Sequence, residues 1–260
     1  MMGSVSTNLW RRVTLPAALL CLTIGVAAIP SSIRVHAASG TGSQAVTTSV
    51  DSSDPYKDII RGIDNAVQNR ENTVASYTVQ EHYAIYRNGE EKPSAEMTVQ
   101  TMYKRGLGKE FTTLSQSGSG LLRGAIIEKI LASEKEMSGP SVRDSVLVNS
   151  SNYEFVPEPG KVDYANRQCI VVDLKARRKS QHLFNGKAWY DASDFSVVRL
   201  EGTPAQSVSF FAGDSSVDRE YQKVDGVPMA VHAEAHSHSF LLGTTVLKVD
   251  STNYQIQHNP

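Results

Sequence analysis

Residues Ser76 to Tyr103 read SYTVQEHYAIYRNGEEKPSAEMTVQTMY, and their period of two decides the fold. Tyr77, Val79, Tyr83 and Ile85 fall on one side of an extended chain, and Ser76, Thr78, Gln80 and His82 fall on the other. Successive side chains of a strand point to opposite faces, so this is a strand with one dry and one wet face. Asn88-Gly89 follows, a pair that tolerates the positive φ angles of a tight hairpin. Ala95, Met97, Val99, Thr101 and Tyr103 then alternate with Glu96, Thr98 and Gln100, which predicts an antiparallel partner.

Working outward, Glu110 to Ser115 predicts a third strand. On the N-terminal side, Asp54 can cap and Pro55 can occupy the first turn of a helix carrying Tyr56, Ile59, Ile60, Ile63 and Val67 on one stripe and ending near Arg70. On the C-terminal side, a helical period returns at Leu121, Leu122, Ala125, Ile126, Ile130 and Leu131, with serines before it as caps and Gly139-Pro140 to stop it. The segment from Val142 to Ser150 reads equally as helix or loop. Strands are expected over 153–156, 168–175, 181–184, 187–190, 195–201, 207–211, 219–224, 227–236 and 244–254, with Asn185-Gly186 and Asp225-Gly226 as hairpin signals. About 10–12 strands against two main helices make a sheet-dominated α+β domain with antiparallel neighbours.

The first 37 residues have the order of a secretory signal peptide: Arg11 and Arg12, an apolar run from Val13 to Ile29, then small residues at Val35 and Ala37. A retained single-pass anchor is the alternative, and cleavage after Ala37 leaves no stable span. Cys21 follows Leu20, not the small residue that a lipoprotein signal needs. Residues 38–53 are small and polar and read as a flexible tether, followed by one domain over 54–260. Removal of residues 1–37 leaves 23 basic against 27 acidic residues. So even and mildly acidic a balance gives no electrostatic footprint for nucleic acid. Only Cys169 remains, inside RQCIVVDL, where a buried inert thiol is expected and no internal disulfide can form.

Chemistry is sparse. The serine-hydrolase elbow, the P-loop, the dinucleotide fingerprint, H-E-x-x-H and paired cysteines are all missing from the sequence, and SGSGLL at 117–122 only resembles the elbow. No enzyme activity and no cofactor are expected. His232, Glu234, His236 and His238 share one strand face. His232 and His236 stand about 13 Å apart along a strand, too far for one ion, whereas His236 and His238 could pinch a metal as half a zinc site. A solvated face is the simpler reading. Trp189 either caps the edge of the core or lines a cavity.

The closing series HLFNGKAWYDASDFSVVRLEG, REYQKVDGVPMAVHAEAHS and TTVLKVDSTNYQI, with the leading helix and the helix inserted after the third strand, resembles the outer-membrane lipoprotein-sorting proteins of the LolA and LolB type over Asp54 to Gln257. The resemblance implies a large curved antiparallel sheet forming an incomplete barrel, with two main helices covering its concave face and acyl chains between them. It implies an exported protein, periplasmic or secreted within the bacterial cell envelope, that holds a lipid or lipoprotein acyl chain. Tyr77, Val79, Met97, Val99, Ile126, Ile130 and Trp189 are the lining candidates. The alternatives are an envelope protein-interaction or sensor module without lipid, and a metal-dependent site at the histidines.

Overall fold

The computed structural model describes residues 55–207, 214–239 and 243–260. The expected signal peptide (1–37), the tether (38–53) and most of the expected strand over 207–211 lie outside the described residues. Helix α1 spans Pro55–Thr73 and passes without a loop into β1, Val74–Arg87. Then come β2 (Ala95–Lys104), β3 (Gly108–Gly118), α2 (Gly120–Leu122), a π-helical turn (Arg123–Ile127), α3 (Glu128–Ser138) and α4 (Arg143–Val146). The rest is strand: β4 (Tyr153–Pro157), β5 (Val162–Tyr164), β6 (Arg167–Ala176), β7 (Phe184–Asp191), β8 (Val197–Pro204), β9 (Asp214–Val224), β10 (Val227–Ser239) and β11 (Gly243–His258).

All strands join one 11-stranded antiparallel sheet in the order β3-β2-β1-β11-β10-β9-β8-β7-β6-β4, with β5 also pairing β6. The first and last strands are neighbours, and β3 and β4 are opposite edges. The chain between β3 and β4 therefore has to cross the width of the sheet, which lays α2 to α4 over one face. Bulges interrupt β1–β11, β2–β3, β7–β8 and β9–β10, and each bends and twists its strand. The result is an open curved sheet with helices on its inner side, the architecture the sequence predicts.

Local chemistry explains the elements. On β1 the odd positions from Tyr77 to Ile85 are buried, and Glu81 falls among them. Asn88 (φ +50°) with Gly89 (φ +78°), and Asp225 (φ +49°) with Gly226 (φ +80°), turn the chain as expected. Asn185-Gly186 does not: both lie within β7. There the Asn185 Oδ1 accepts the Ala176 amide hydrogen at 2.9 Å, and Gly186 pairs with Gly202 across a very close backbone approach. The expected separate strand over 181–184 is accordingly absent, because the chain stays extended through Gly186 instead of turning there.

Ser119 Oγ accepts the Leu122 amide hydrogen at 3.3 Å and caps the inserted helix. The wider π turn brings Leu122 and Ile127, five residues apart, onto the sheet together with Ile126. Leu121 is rotated off that face and is 80% exposed.

Three apolar clusters hold the fold. Beneath the π turn and α3 lie Tyr83, Ile85, Met97, Val99, Leu122, Ile126, Ile127 and Leu247, with Ile130 packed alongside. Ile63 of α1 packs onto Tyr153, Phe155, Ile170, Val172, Leu183, Ala188 and Tyr190. Phe195 lays its ring against Gly62 of α1, where a Cβ would come within 2.6 Å of it. The third cluster is Val74, Tyr77, Val79, Tyr103, Val227 and Met229. Fully burying one such side chain contributes roughly 1.5–3 kcal/mol.

Burial pushes the Tyr153 phenol up to about 12 from its ordinary 10.0. A phenol held neutral in the folded chain stabilises fully below pH 10, and that contribution is lost as pH rises toward 12. Alkaline unfolding followed by circular dichroism is therefore expected to be less steep between pH 10 and 12 in Tyr153→Phe than in the wild type.

Candidate functional site

Side chains of directly paired residues share a face, so the pairings trace rows across the sheet. One row on the helix side runs Val172, Ala188, Leu200, Arg219, Ala233, Val249, Tyr83, Met97. The next runs Leu174, Gly186, Gly202, Val217, Ala235, Leu247, Ile85, Ala95. At both ends these residues are buried, by α1 on one side and by α3 with its π turn on the other. In the middle, Leu200, Val217, Arg219, Ala233 and Val249 are only half-buried. The sequence has set small residues in this stretch, Gly186, Gly202, Ala233 and Ala235, so its floor is low. The two helices thus flank a half-buried trough over β8 to β11, whose Leu200 packs against the cluster beneath α1 and whose Val217 and Val249 pack against the cluster beneath α3.

One charged strut ties α3 to two strands of the sheet. Glu134, on α3, binds Lys109 of β3 at 2.7 Å and Arg219 of β9 at 3.4 Å. In the sheet order β3 and β9 are five strands apart, about 24 Å in a flat sheet, so the curl must bring them toward each other. Glu134 is itself drawn toward a higher pKa by desolvation, but the Lys109 and Arg219 cations overcome this and hold its carboxyl at about 2, below the ordinary 4.5. Burial opposes the charge on Lys109, and Glu134 outweighs it, so the ammonium is held above its ordinary range. Arg219 is raised first by Tyr221, to which it also donates a hydrogen bond, and then by Glu134. Its side chain is 39% exposed, against 17% and 18% for Lys109 and Glu134.

Beside the strut, Glu81 accepts hydrogen bonds from Thr101 Oγ1 at 2.7 Å and the Tyr83 hydroxyl at 3.1 Å. Burial first, and the Glu81 and Glu134 carboxylates after it, push the Tyr83 phenol well above its ordinary value. Helix α1 is held by Glu71, which binds Arg143 of α4 at 2.5 Å and Arg70 at 3.1 Å. Asp64 accepts from the amide and hydroxyl of Ser150 at 2.8 and 2.5 Å.

The expected lining residues divide into three places. Met97, Val99, Ile126 and Ile130 come together under α3. Tyr77 and Val79 lie in the third cluster, where the Tyr77 ring stacks on Tyr103 at 5.0 Å. Trp189 is on the opposite face, between Tyr164, with ring centroids 6.2 Å apart, and the Arg199 guanidinium, 4.9 Å from its ring centre. Sequence reasoning missed Arg219 and Glu134. The available signal was the alternation Val217, Arg219, Tyr221, which puts an arginine where an apolar side chain belongs.

His82, His232, His236 and His238 share that opposite face. His232 pairs with Asp250 at 2.7 Å, His236 with Glu234 at 2.6 Å, His82 with Glu96 at 3.4 Å, and His238 with Thr244 at 3.2 Å. Among the described residues no three His, Cys, Asp or Glu side chains are placed to hold one metal ion. Two cavities lie there too, each where pairing is interrupted. One, about 230 Å³, is lined by Tyr164, Arg167, Val198, Glu220 and Gln222, where β8 and β9 part. The other, about 120 Å³, adjoins the β2–β3 bulge at Thr98.

Three solved structures are similar to this chain over more than nine-tenths of their own length, at low identity. A LolA superfamily protein from Nitrosomonas europaea matches with 12% identity and a TM-score of 0.43, over 78% of this chain and 94% of its own. An outer membrane lipoprotein-sorting protein domain from Vibrio parahaemolyticus matches with 12% identity and a TM-score of 0.45, over 75% and 91%. A DUF1329 family protein from Desulfovibrio piger matches with 12% identity and a TM-score of 0.41, over 79% and 94%. No family model matches the chain, and no curated protein matches it. No helix among the described residues is long and apolar enough to cross a membrane.

Proposed function

We propose that the chain, exported to the bacterial cell envelope after loss of residues 1–37, is a non-enzymatic binding protein that holds a hydrophobic ligand, an acyl chain of a lipid or lipoprotein. The ligand lies in the trough between α1 and α3. The observation that carries this reading is the half-buried apolar strip Leu200, Val217, Ala233 and Val249, lying between two stretches of the same rows that the helices bury. An acyl chain laid there gains about 0.8 kcal/mol for each methylene removed from water.

The test is lipid extraction and mass spectrometry of protein isolated gently from cell envelope, alongside Ala233→Trp, whose indole would fill the trough. The expected result is a near-stoichiometric acyl ligand in the wild type, strongly reduced in the variant at unchanged circular dichroism. A protein partner recovered in equal amount with no lipid would replace this reading with that of a docking module.

A further inference from the structure

The larger cavity on the face opposite the helices, about 230 Å³, is lined by Tyr164, Arg167, Val198, Glu220, Tyr221 and Gln222. Strands β8 and β9 pair from Gly202–Val217 to Arg199–Glu220 and then separate at Val198 and Tyr221. Ion pairs tie the two sides together at both ends of the gap: Arg199 to Asp218 before it, and Lys223 of β9 to Asp194 beyond it, at 2.5 Å. The gap is thus closed at both ends, unlike a frayed seam. Tyr164 forms one wall, its hydroxyl donating to Glu220 Oε1 at 3.2 Å and its ring held 5.6 Å from the Arg199 guanidinium. Two of the lining charges have no counter-ion. Among the described residues Arg167 has no hydrogen bond or ion pair through its side chain, and Glu220 has only the Tyr164 hydroxyl. The ladder neighbours of Glu220 are committed elsewhere, Arg199 to Asp218 and Glu201, and His232 to Asp250. A guanidinium and a carboxylate therefore share one cavity without meeting each other.

We propose that this cavity binds a small zwitterion, a free α-amino acid with an uncharged side chain, its carboxylate on Arg167 and its ammonium on Glu220. A simple anion would be drawn to Arg167 and repelled by Glu220, and a simple cation the reverse; a zwitterion satisfies both. The planar guanidinium matches a carboxylate through two parallel hydrogen bonds. Sites for drug-sized ligands span roughly 300–1,000 Å³, so this smaller volume suits a single amino acid. Val198, 2% exposed, and Tyr221 make the inner end apolar, which fits an aliphatic side chain such as that of leucine. The site lies on the other face of the sheet from the trough and does not depend on it.

Isothermal titration of the purified protein with leucine, leucine methyl ester and N-acetylleucine tests this directly, because the ester lacks the carboxylate and the acetyl compound lacks the ammonium. Leucine is expected to bind roughly tenfold or more tightly than either. Arg167→Gln is expected to abolish the preference for leucine over the methyl ester, and Glu220→Gln the preference over N-acetylleucine. Ala233→Trp, on the helix side, is expected to leave leucine binding unchanged. Equal binding of the three compounds to the wild type, or no binding of leucine, overturns the proposal. Parallel loss of all three compounds in both variants makes Arg167 and Glu220 structural and also overturns it. Loss of leucine binding in Ala233→Trp would move the ligand to the trough and remove the assignment to this cavity.

Discussion

Glu134→Gln is expected to lower stability by about 3 kcal/mol at neutral pH and the melting temperature by roughly 6–12 °C. The carboxylate is held at about 2 against an ordinary 4.5, and it is 18% exposed, so solvent screens it little. A depression of that size corresponds to about 3 kcal/mol of differential stabilisation. Glutamine keeps the shape but leaves Lys109 buried without its counter-charge, and breaking one side of a buried pair costs far more than a surface ion pair is worth. The Arg219 side of the strut, being more accessible, contributes the smaller part.

The sign of the pH dependence follows from the direction of the shift. A carboxyl whose folded pKa is depressed stabilises fully above its unfolded value and loses that contribution as pH falls through its folded value. The gap between wild type and Glu134→Gln is therefore constant above pH 4.5 and closes toward pH 2. Thermal melts of both proteins across that range measure it. A gap that stays the same size at both ends would mean that glutamine perturbs packing and that the strut contributes little.

The parts of this molecule that were legible in the sequence are those set by local periodicity. Alternation in 76–103 fixes two strands and their turn, because burial of one face leaves only one register. The apolar stripe of α1 and the Gly139-Pro140 stop also follow from neighbours in sequence. Glu134 and Arg219 are 85 residues apart, and their meeting depends on the curl of a sheet that no short window encodes. Trp189 shows the complementary difficulty. Its alternation with Ala188 and Tyr190 places it on one of two faces, and only the burial of those neighbours under α1 decides that it is the face opposite the helices. Likewise Leu121 fits a regular helical stripe, and the π turn that rotates it outward has no sequence signal of comparable strength.

Gly186→Ala is expected to be at least as damaging as the loss of Glu134, by about 3 kcal/mol or more. A methyl group at Gly186 would lie 2.0 Å from the Glu201 carbonyl oxygen and 2.5 Å from the Gly202 Cα, all of it backbone of the paired strand. No side-chain rotation relieves that contact, so β7 and β8 have to separate by about 1 Å, at roughly 1 kcal/mol for each ladder hydrogen bond weakened. Gly89→Ala is the control: φ there is +78° with nothing within 4 Å, so the cost is backbone strain alone, about 1–2 kcal/mol. Chemical denaturation of the two variants separates the mechanisms, because close approach predicts the larger loss at Gly186 and positive φ the larger loss at Gly89. Should Gly186→Ala prove the milder of the two, the β7–β8 backbone has slack, and Asn185-Gly186 returns to being the hairpin its sequence suggests.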